Sequence, residues 1–150
     1  MKVKVITTMV LLLSLATNVM GQDGKNSLGR GYRGFVETEE WDNFAVLNVS
    51  TTHGYQFNPN IFVGVGASWI GDSDWAALAK FRYDVTIKDK FTPFIDVNTY
   101  IEKDYEFNIH PSVGYRFKHF NVKVGYLMDG EGDGGLTFGI GFDFGGRKKK

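Results

Sequence analysis

From residue 31 onward, apolar side chains recur at every second position, and that rhythm leaves few folds open. Successive side chains of a strand point to opposite faces. Period 2 therefore means strands with one apolar and one polar face, whereas a helix would show a period of 3.6. Ala77, Ala79, Phe81, Tyr83, Val85 and Ile87 alternate with Leu78, Lys80, Arg82, Asp84, Thr86 and Lys88. The same rule governs Tyr105–Phe117, Phe120–Met128 and Leu136–Phe144, and no charge falls on the apolar side of any of the four runs. Four weaker runs follow at about 31–41, 43–57, 61–70 and 93–102. In the first of these, Tyr32, Gly34, Val36 and Thr38 oppose Arg33, Phe35, Glu37 and Glu39. Breakers separate the runs: Asn58-Pro59-Asn60, Lys88-Asp89-Lys90 and Lys118-His119 at one set of ends. Trp41-Asp42, Gly71–Trp75, Lys103-Asp104 and Asp129–Gly135 lie at the other. The expectation is eight antiparallel strands with no helix between them.

Eight such strands must close into a barrel, because an open sheet exposes its edges. Alternation alone does not say which face looks inward, but size does. The apolar face carries at least fourteen aromatics, among them Tyr55, Trp69, Phe81, Tyr115, Phe138 and Phe142. The opposite face carries Gly54, Gly64, Gly66, Gly114, Gly125, Gly139 and Gly141. An eight-strand interior is only just wide enough for side chains to fill, so the bulky set belongs outside and the small set inside. Aromatics also gather at two levels. Phe57, Phe91, Phe94, Phe117, Phe120, Phe142 and Phe144 lie near the turn end, and Trp41, Trp69, Trp75, Tyr100, Tyr105 and Phe138 near the loop end. Two such belts mark the headgroup levels of a membrane barrel. The fold class is thus read as all-β, an eight-stranded antiparallel up-and-down transmembrane β-barrel. The competing reading is a secreted soluble, lipocalin-like barrel with its apolar face around a ligand.

The N-terminus carries a different pattern. Lys2 and Lys4 precede the uncharged apolar stretch Val5–Ala16, and Val19-x-Gly21 offers small residues at a cleavage position. This is the layout of a secretory signal peptide, too short to cross a bilayer as an anchor. The chain divides into a signal peptide (1–21), a flexible lead-in (22–30), an outer-membrane β-barrel (31–145) and a basic tail (146–150). Without Lys2 and Lys4 the remainder has 15 basic and 17 acidic residues, a formal charge of −2. There is no basic excess for nucleic acid. No cysteine is present, which removes disulfides and Cys-ligated metal centres.

A resemblance enters on three segments: Gly31-Tyr32-Arg33-Gly34-Phe35, Thr52-His53-Gly54-Tyr55-Gln56-Phe57-Asn58-Pro59 and Pro111-Ser112-Val113-Gly114-Tyr115-Arg116-Phe117. With the signal, the chain resembles the small, porin-like outer-membrane β-barrel family of the OmpX and OmpA-transmembrane-domain type, over about 31–145. That resemblance implies a Gram-negative cell envelope, outer-membrane lipid and lipopolysaccharide as surroundings, and insertion by the barrel-assembly machinery. Leu136–Phe144 resembles the family's C-terminal insertion signal. The family usually ends on the final aromatic, whereas here Gly145–Lys150 follows Phe144.

The inward set is Arg33, Glu37, Glu39, Lys80, Arg82, Asp84, Lys88, Asp96, Glu102, Glu106, Arg116, Lys118, Lys123 and Asp143. Both signs are balanced, and unpaired buried charges are costly. A structural ion-pair network filling the lumen is expected, with a narrow pore for ions or small solutes as the alternative. Glu106, His110 and Ser112 share one strand face, but i and i+2 positions lie ~7 Å apart, too far for a nucleophile–base hydrogen bond. His53 reads as interfacial and His119 as a turn residue. Asp129, Glu131 and Asp133 alternate with glycines in a spacing that can wrap Ca²⁺, although the distal bidentate Glu is missing. Glu40, Asp42, Asp72, Asp74 and Asp104 make the loop end acidic, while Lys88, Lys90, Lys118 and residues 147–150 make the turn end basic. No catalytic residue, cofactor or metal site is assigned, and the chain reads as a structural or surface-contact protein, not an enzyme.

Overall fold

The computed structural model describes residues 31–41, 46–71, 74–85, 91–103 and 106–145. The signal peptide, lead-in and basic tail expected at 1–21, 22–30 and 146–150 lie outside the described residues, as do Asp42, Asp72, Thr86–Lys90, Asp104 and Tyr105. Eight strands follow in order: β1 (Gly31–Trp41), β2 (Val46–Gln56), β3 (Ile61–Ile70), β4 (Asp74–Asp84), β5 (Phe91–Ile101), β6 (Phe107–Phe117), β7 (Phe120–Met128) and β8 (Gly134–Gly145). Each pairs antiparallel with its sequence neighbours, and β8 returns to β1, closing the barrel. Closure leaves no unpaired edge.

The alternation of the sequence becomes the wall of the barrel. On β6 Phe107, Ile109, Val113, Tyr115 and Phe117 are exposed on the outside, whereas Asn108, His110, Ser112 and Arg116 are buried inside. Val65 is 67% exposed and Trp75 60%, while Arg82 on the inner face is 0% exposed. The apolar face is outside.

The connections follow local chemistry. Asn58 Oδ1 accepts hydrogen bonds from the backbone N–H groups of Asn60 (2.8 Å) and Ile61 (2.9 Å), shaping the β2–β3 turn. At the tight β6–β7 turn Lys118 takes a left-handed backbone (φ 54°). At the loop end Asp129 Oδ1 accepts from the N–H groups of Glu131 (3.0 Å) and Asp133 (2.8 Å), so this carboxylate closes its own hairpin.

Several placements differ from the sequence reading. β4 begins at Asp74, so Asp74 and Trp75 belong to a strand and not to the loop. Trp41, Phe94 and Tyr100 sit inside the barrel, not in the outer belts, because each occupies an inward register position. Glu106 is exposed ahead of β6 and Lys118 is exposed at a turn, so neither joins the lumen. Glu102, just past β5, is partly exposed.

Candidate functional site

The lumen is the part of this molecule with chemistry in it, and it is built in layers. At the turn end Arg33 on β1 donates through Nη1 to Asp84 Oδ2 (2.9 Å) and Gln56 Oε1 (2.8 Å), and through Nη2 to Asp143 Oδ2 (2.7 Å). This one guanidinium ties β1 to β2, β4 and β8. Its planar fork suits such multiple contacts.

Above it lie three inward phenylalanines. Phe35 and Phe62 meet edge to face at 4.9 Å. The Arg82 guanidinium lies 4.3 Å from the Phe35 ring centre and 3.8 Å from that of Phe94, and Arg33 approaches Phe35 to 4.6 Å. Phe35 therefore sits between two cations, which its negative ring faces favour. The lumen glycines make room for these rings. A Cβ at Gly64 would lie 2.5 Å from Phe62 Cζ, and one at Gly114 would lie 2.6 Å from Phe94 Cζ.

The central layer holds three cations and three carboxylates. Arg82 grips Asp96 with two hydrogen bonds, Nε to Oδ1 (2.5 Å) and Nη2 to Oδ2 (2.6 Å), and also donates to Glu37 Oε1 (3.0 Å). Lys80 Nζ reaches Glu37 Oε2 at 2.6 Å and Asp96 Oδ2 at 3.0 Å. Lys123 pairs with Glu39 and lies 3.3 Å from Glu37 Oε2. Counting both layers, the buried charges are Arg33, Lys80, Arg82, Arg116 and Lys123 against Glu37, Glu39, Asp84, Asp96 and Asp143, five of each sign. Removing one partner from such a set leaves an uncompensated buried charge, at about 3–5 kcal/mol.

Toward the loop end His110 bridges three strands. Its Nε2 lies 2.6 Å from Thr137 Oγ1 and its Nδ1 3.2 Å from Glu39 Oε2. The sequence grouping of Glu106, His110 and Ser112 is not brought together: Glu106 is outside the lumen, and His110 takes its partners from β8 and β1. The Glu39–His110–Thr137 chain has the atom order of a hydrolytic triad, but its side chains are fully buried beneath a lid. Trp41, Ala76, Leu78 and Tyr100 form that lid, backed by Val46, Ile70 and Leu127. Trp41 and Tyr100 meet edge to face at 5.2 Å.

Outside, the apolar wall carries a polar cluster on β1 and β2. Tyr32 Oη lies 2.6 Å from His53 Nδ1, and Thr51 Oγ1 lies 3.1 Å from His53 Nε2. The Phe144 ring covers Gly34 beside them, with a Cβ at Gly34 falling 2.5 Å from Phe144 Cε2. His53 is thus an outward residue whose ring nitrogens are both engaged. His119 Nδ1 lies 3.1 Å from the Asp143 carbonyl at its turn. Among the described residues, no group of three or more His, Asp or Glu side chains is placed to hold a metal ion.

Sequence reasoning set Phe35 beside the inward charges, but it put Trp41, Phe94 and Tyr100 in the outer belts and did not single out Phe62. Phe35, Phe62, Phe94, Tyr100 and Trp41 share the inner face with the charged residues, and all but Trp41, which follows Glu40, alternate with an outward apolar neighbour. Position in the register marks them where residue type misleads.

Two solved structures share this architecture. A de novo designed transmembrane β-barrel is similar at 15% identity and a TM-score of 0.55, over 81% of this chain and 100% of that one. The solution NMR structure of the de novo designed barrel TMB2.3 is similar at 16% identity and a TM-score of 0.55, over 83% and 98%. No protein-family description and no curated protein matches the sequence. By fold, then, the chain is a closed eight-stranded antiparallel β-barrel similar to designed transmembrane barrels, with an ion-pair network inside it.

Proposed function

We propose that this chain is an integral outer-membrane β-barrel of a Gram-negative bacterium, exported by the signal peptide at 1–21, with a structural or surface-contact role. One observation carries the reading: the same strands are apolar outside and mostly polar or charged inside. Along β6 the outward residues run from Phe107 to Phe117. That is about 33 Å of strand, which at a tilt of roughly 40° gives a band of about 25 Å, the height of the apolar belt on outer-membrane barrels. An aqueous protein would face water with that band. In a bilayer it faces acyl chains, and the charges find each other in the lumen.

Five cations balanced by five carboxylates, together with three phenylalanines, fill the bore, which supports a plugged barrel over a narrow pore. The surroundings proposed are outer-membrane lipid and lipopolysaccharide, with insertion by the barrel-assembly machinery reading Leu136–Phe144. The acidic loop end is proposed to face outward and the turn end to face the periplasm. A soluble lipocalin-like barrel would need an apolar inner lining, and the described inner face is mostly polar.

Cell fractionation followed by gel electrophoresis with and without boiling tests this. Recovery in the outer-membrane fraction with a boiling-dependent mobility shift is expected, and planar bilayers containing the refolded protein should show no steady conductance. A detergent-free soluble protein overturns the membrane reading. Stable single-channel steps would replace the plugged barrel with the pore.

A further inference from the structure

Hydrogen bonding within the lumen is uneven from end to end. Near the loop end most polar side chains have partners. Of the atoms there without a hydrogen bond, Glu39 Oε1 lies against Lys123 Nζ and His110 Nδ1 lies 3.2 Å from Glu39 Oε2, which leaves Asn98 Nδ2. Asn48 accepts from the Ser68 hydroxyl and donates to Tyr100 Oη, Trp41 Nε1 donates to Glu39, and Thr137 meets His110. Toward the turn end the partners run out. Among the described residues, Arg116 Nε, Arg82 Nη1, Asp84 Oδ1, Asp143 Oδ1 and both amide atoms of Asn121 are buried without a hydrogen-bond partner in the protein. Ser112 Oγ, on β6 opposite Asp96 of β5, carries the unpartnered set to mid-height.

Asn121 is the clearest member. It is 1% exposed and faces into the lumen from β7, directly across the strand pair from Arg116. Its amide lies over Gly141, where a Cβ would fall 2.8 Å from Oδ1 and 2.9 Å from Nδ2. Arg116 is held loosely. Its contacts are 3.3 Å to Thr92 Oγ1, 3.4 Å to the Lys118 carbonyl and 3.7 Å to Asp143 Oδ2. Its side chain keeps 7% exposure, whereas that of Arg33 keeps none, which puts Arg116 at the mouth.

Buried polar atoms are rarely left unpaired in a folded protein. The unpartnered set here contains donors (Arg116 Nε, Arg82 Nη1, Asn121 Nδ2) and acceptors (Asn121 Oδ1, Asp84 Oδ1, Asp143 Oδ1) side by side. An anion would be repelled by the two carboxylates and a cation by the two guanidiniums. Water answers both kinds, and buried water of this type typically makes about three hydrogen bonds to otherwise unpaired groups. We propose that the turn-end half of the lumen is a one-ended hydrated vestibule. Water enters past Arg116, is bound by Asn121, Ser112 and the free edges of Asp84 and Asp143, and stops at the lid of Trp41, Leu78 and Tyr100. The barrel is open to water-sized molecules from one side and sealed from the other. This goes beyond the plugged-barrel reading and holds whether the barrel stands in a micelle or a bilayer.

The test compares two like groups in the unsubstituted protein. Water-to-protein magnetisation transfer is recorded by NMR on the refolded barrel in micelles, at the side-chain amides of Asn121 and Asn48. Asn48 is also buried, but its amide is partnered inside the protein. The expected result is a water cross-peak at Asn121 at least fivefold stronger than at Asn48. No cross-peak at Asn121, or equal intensity at the two amides, would overturn the proposal.

Discussion

The two faces of β4 show what each side of this wall is dissolved in. Outward, Trp75, Ala77, Ala79, Phe81 and Tyr83 vary in size, and all five are exposed. Inward, Ala76, Leu78, Lys80, Arg82 and Asp84 are all buried, and each charged member has an identified ion partner. The outer face needs only to be apolar, because a fluid fits any contour. The inner face needs specific partners at specific heights, because nothing else can neutralise a charge there. Substitutions inside and outside should therefore differ in kind, and unfolding in urea from lipid vesicles can rank them.

The largest loss is expected at Asp96, which is shared by Arg82 and Lys80. Asp96→Ala should cost about 3–5 kcal/mol, and adding Arg82→Leu should recover part of that loss. If the double variant is no more stable than the single one, the charge balance is not what holds the lumen. Next comes a charge placed on the outer face. Val65→Arg puts one into the proposed acyl layer, for about 2–4 kcal/mol at the bilayer midplane, and a neutral effect would mean that Val65 faces water. Gly114→Ala tests the fit inside, since the added carbon meets Phe94 Cζ and the Val122 carbonyl. Overpacking of this kind should cost about 1–3 kcal/mol. Val65→Ala should change stability least, within about 0.5 kcal/mol, because lipid fills the space left by the side chain. A loss as large as that of Gly114→Ala would show that the outer face is packed against something more specific than lipid.

The wall was legible in the sequence because alternation is local: Phe107 and Asn108 declare their faces without reference to any other strand. The lumen glycines were legible for the same reason, being small residues where bulk belongs outside. The layers were not legible. Arg33 meets Asp143 across 110 residues of sequence, and only the β1–β8 closure brings them together. Trp41, Phe94 and Tyr100 look like belt residues by type, yet their register turns them inward. His110 was correctly placed inside, but its partners Glu39 and Thr137 come from other strands, which no single-strand spacing could name.

The three tryptophans offer the most direct check, because Trp69 and Trp75 point outward and Trp41 points into the lumen. Each is kept alone by replacing the other two with Phe, and its fluorescence is measured in vesicles of brominated lipid. Strong quenching of Trp69 and Trp75 with Trp41 spared is the predicted result. Trp41 quenched as strongly as the other two, or no quenching of Trp69 and Trp75, would contradict a membrane barrel with its charges inside.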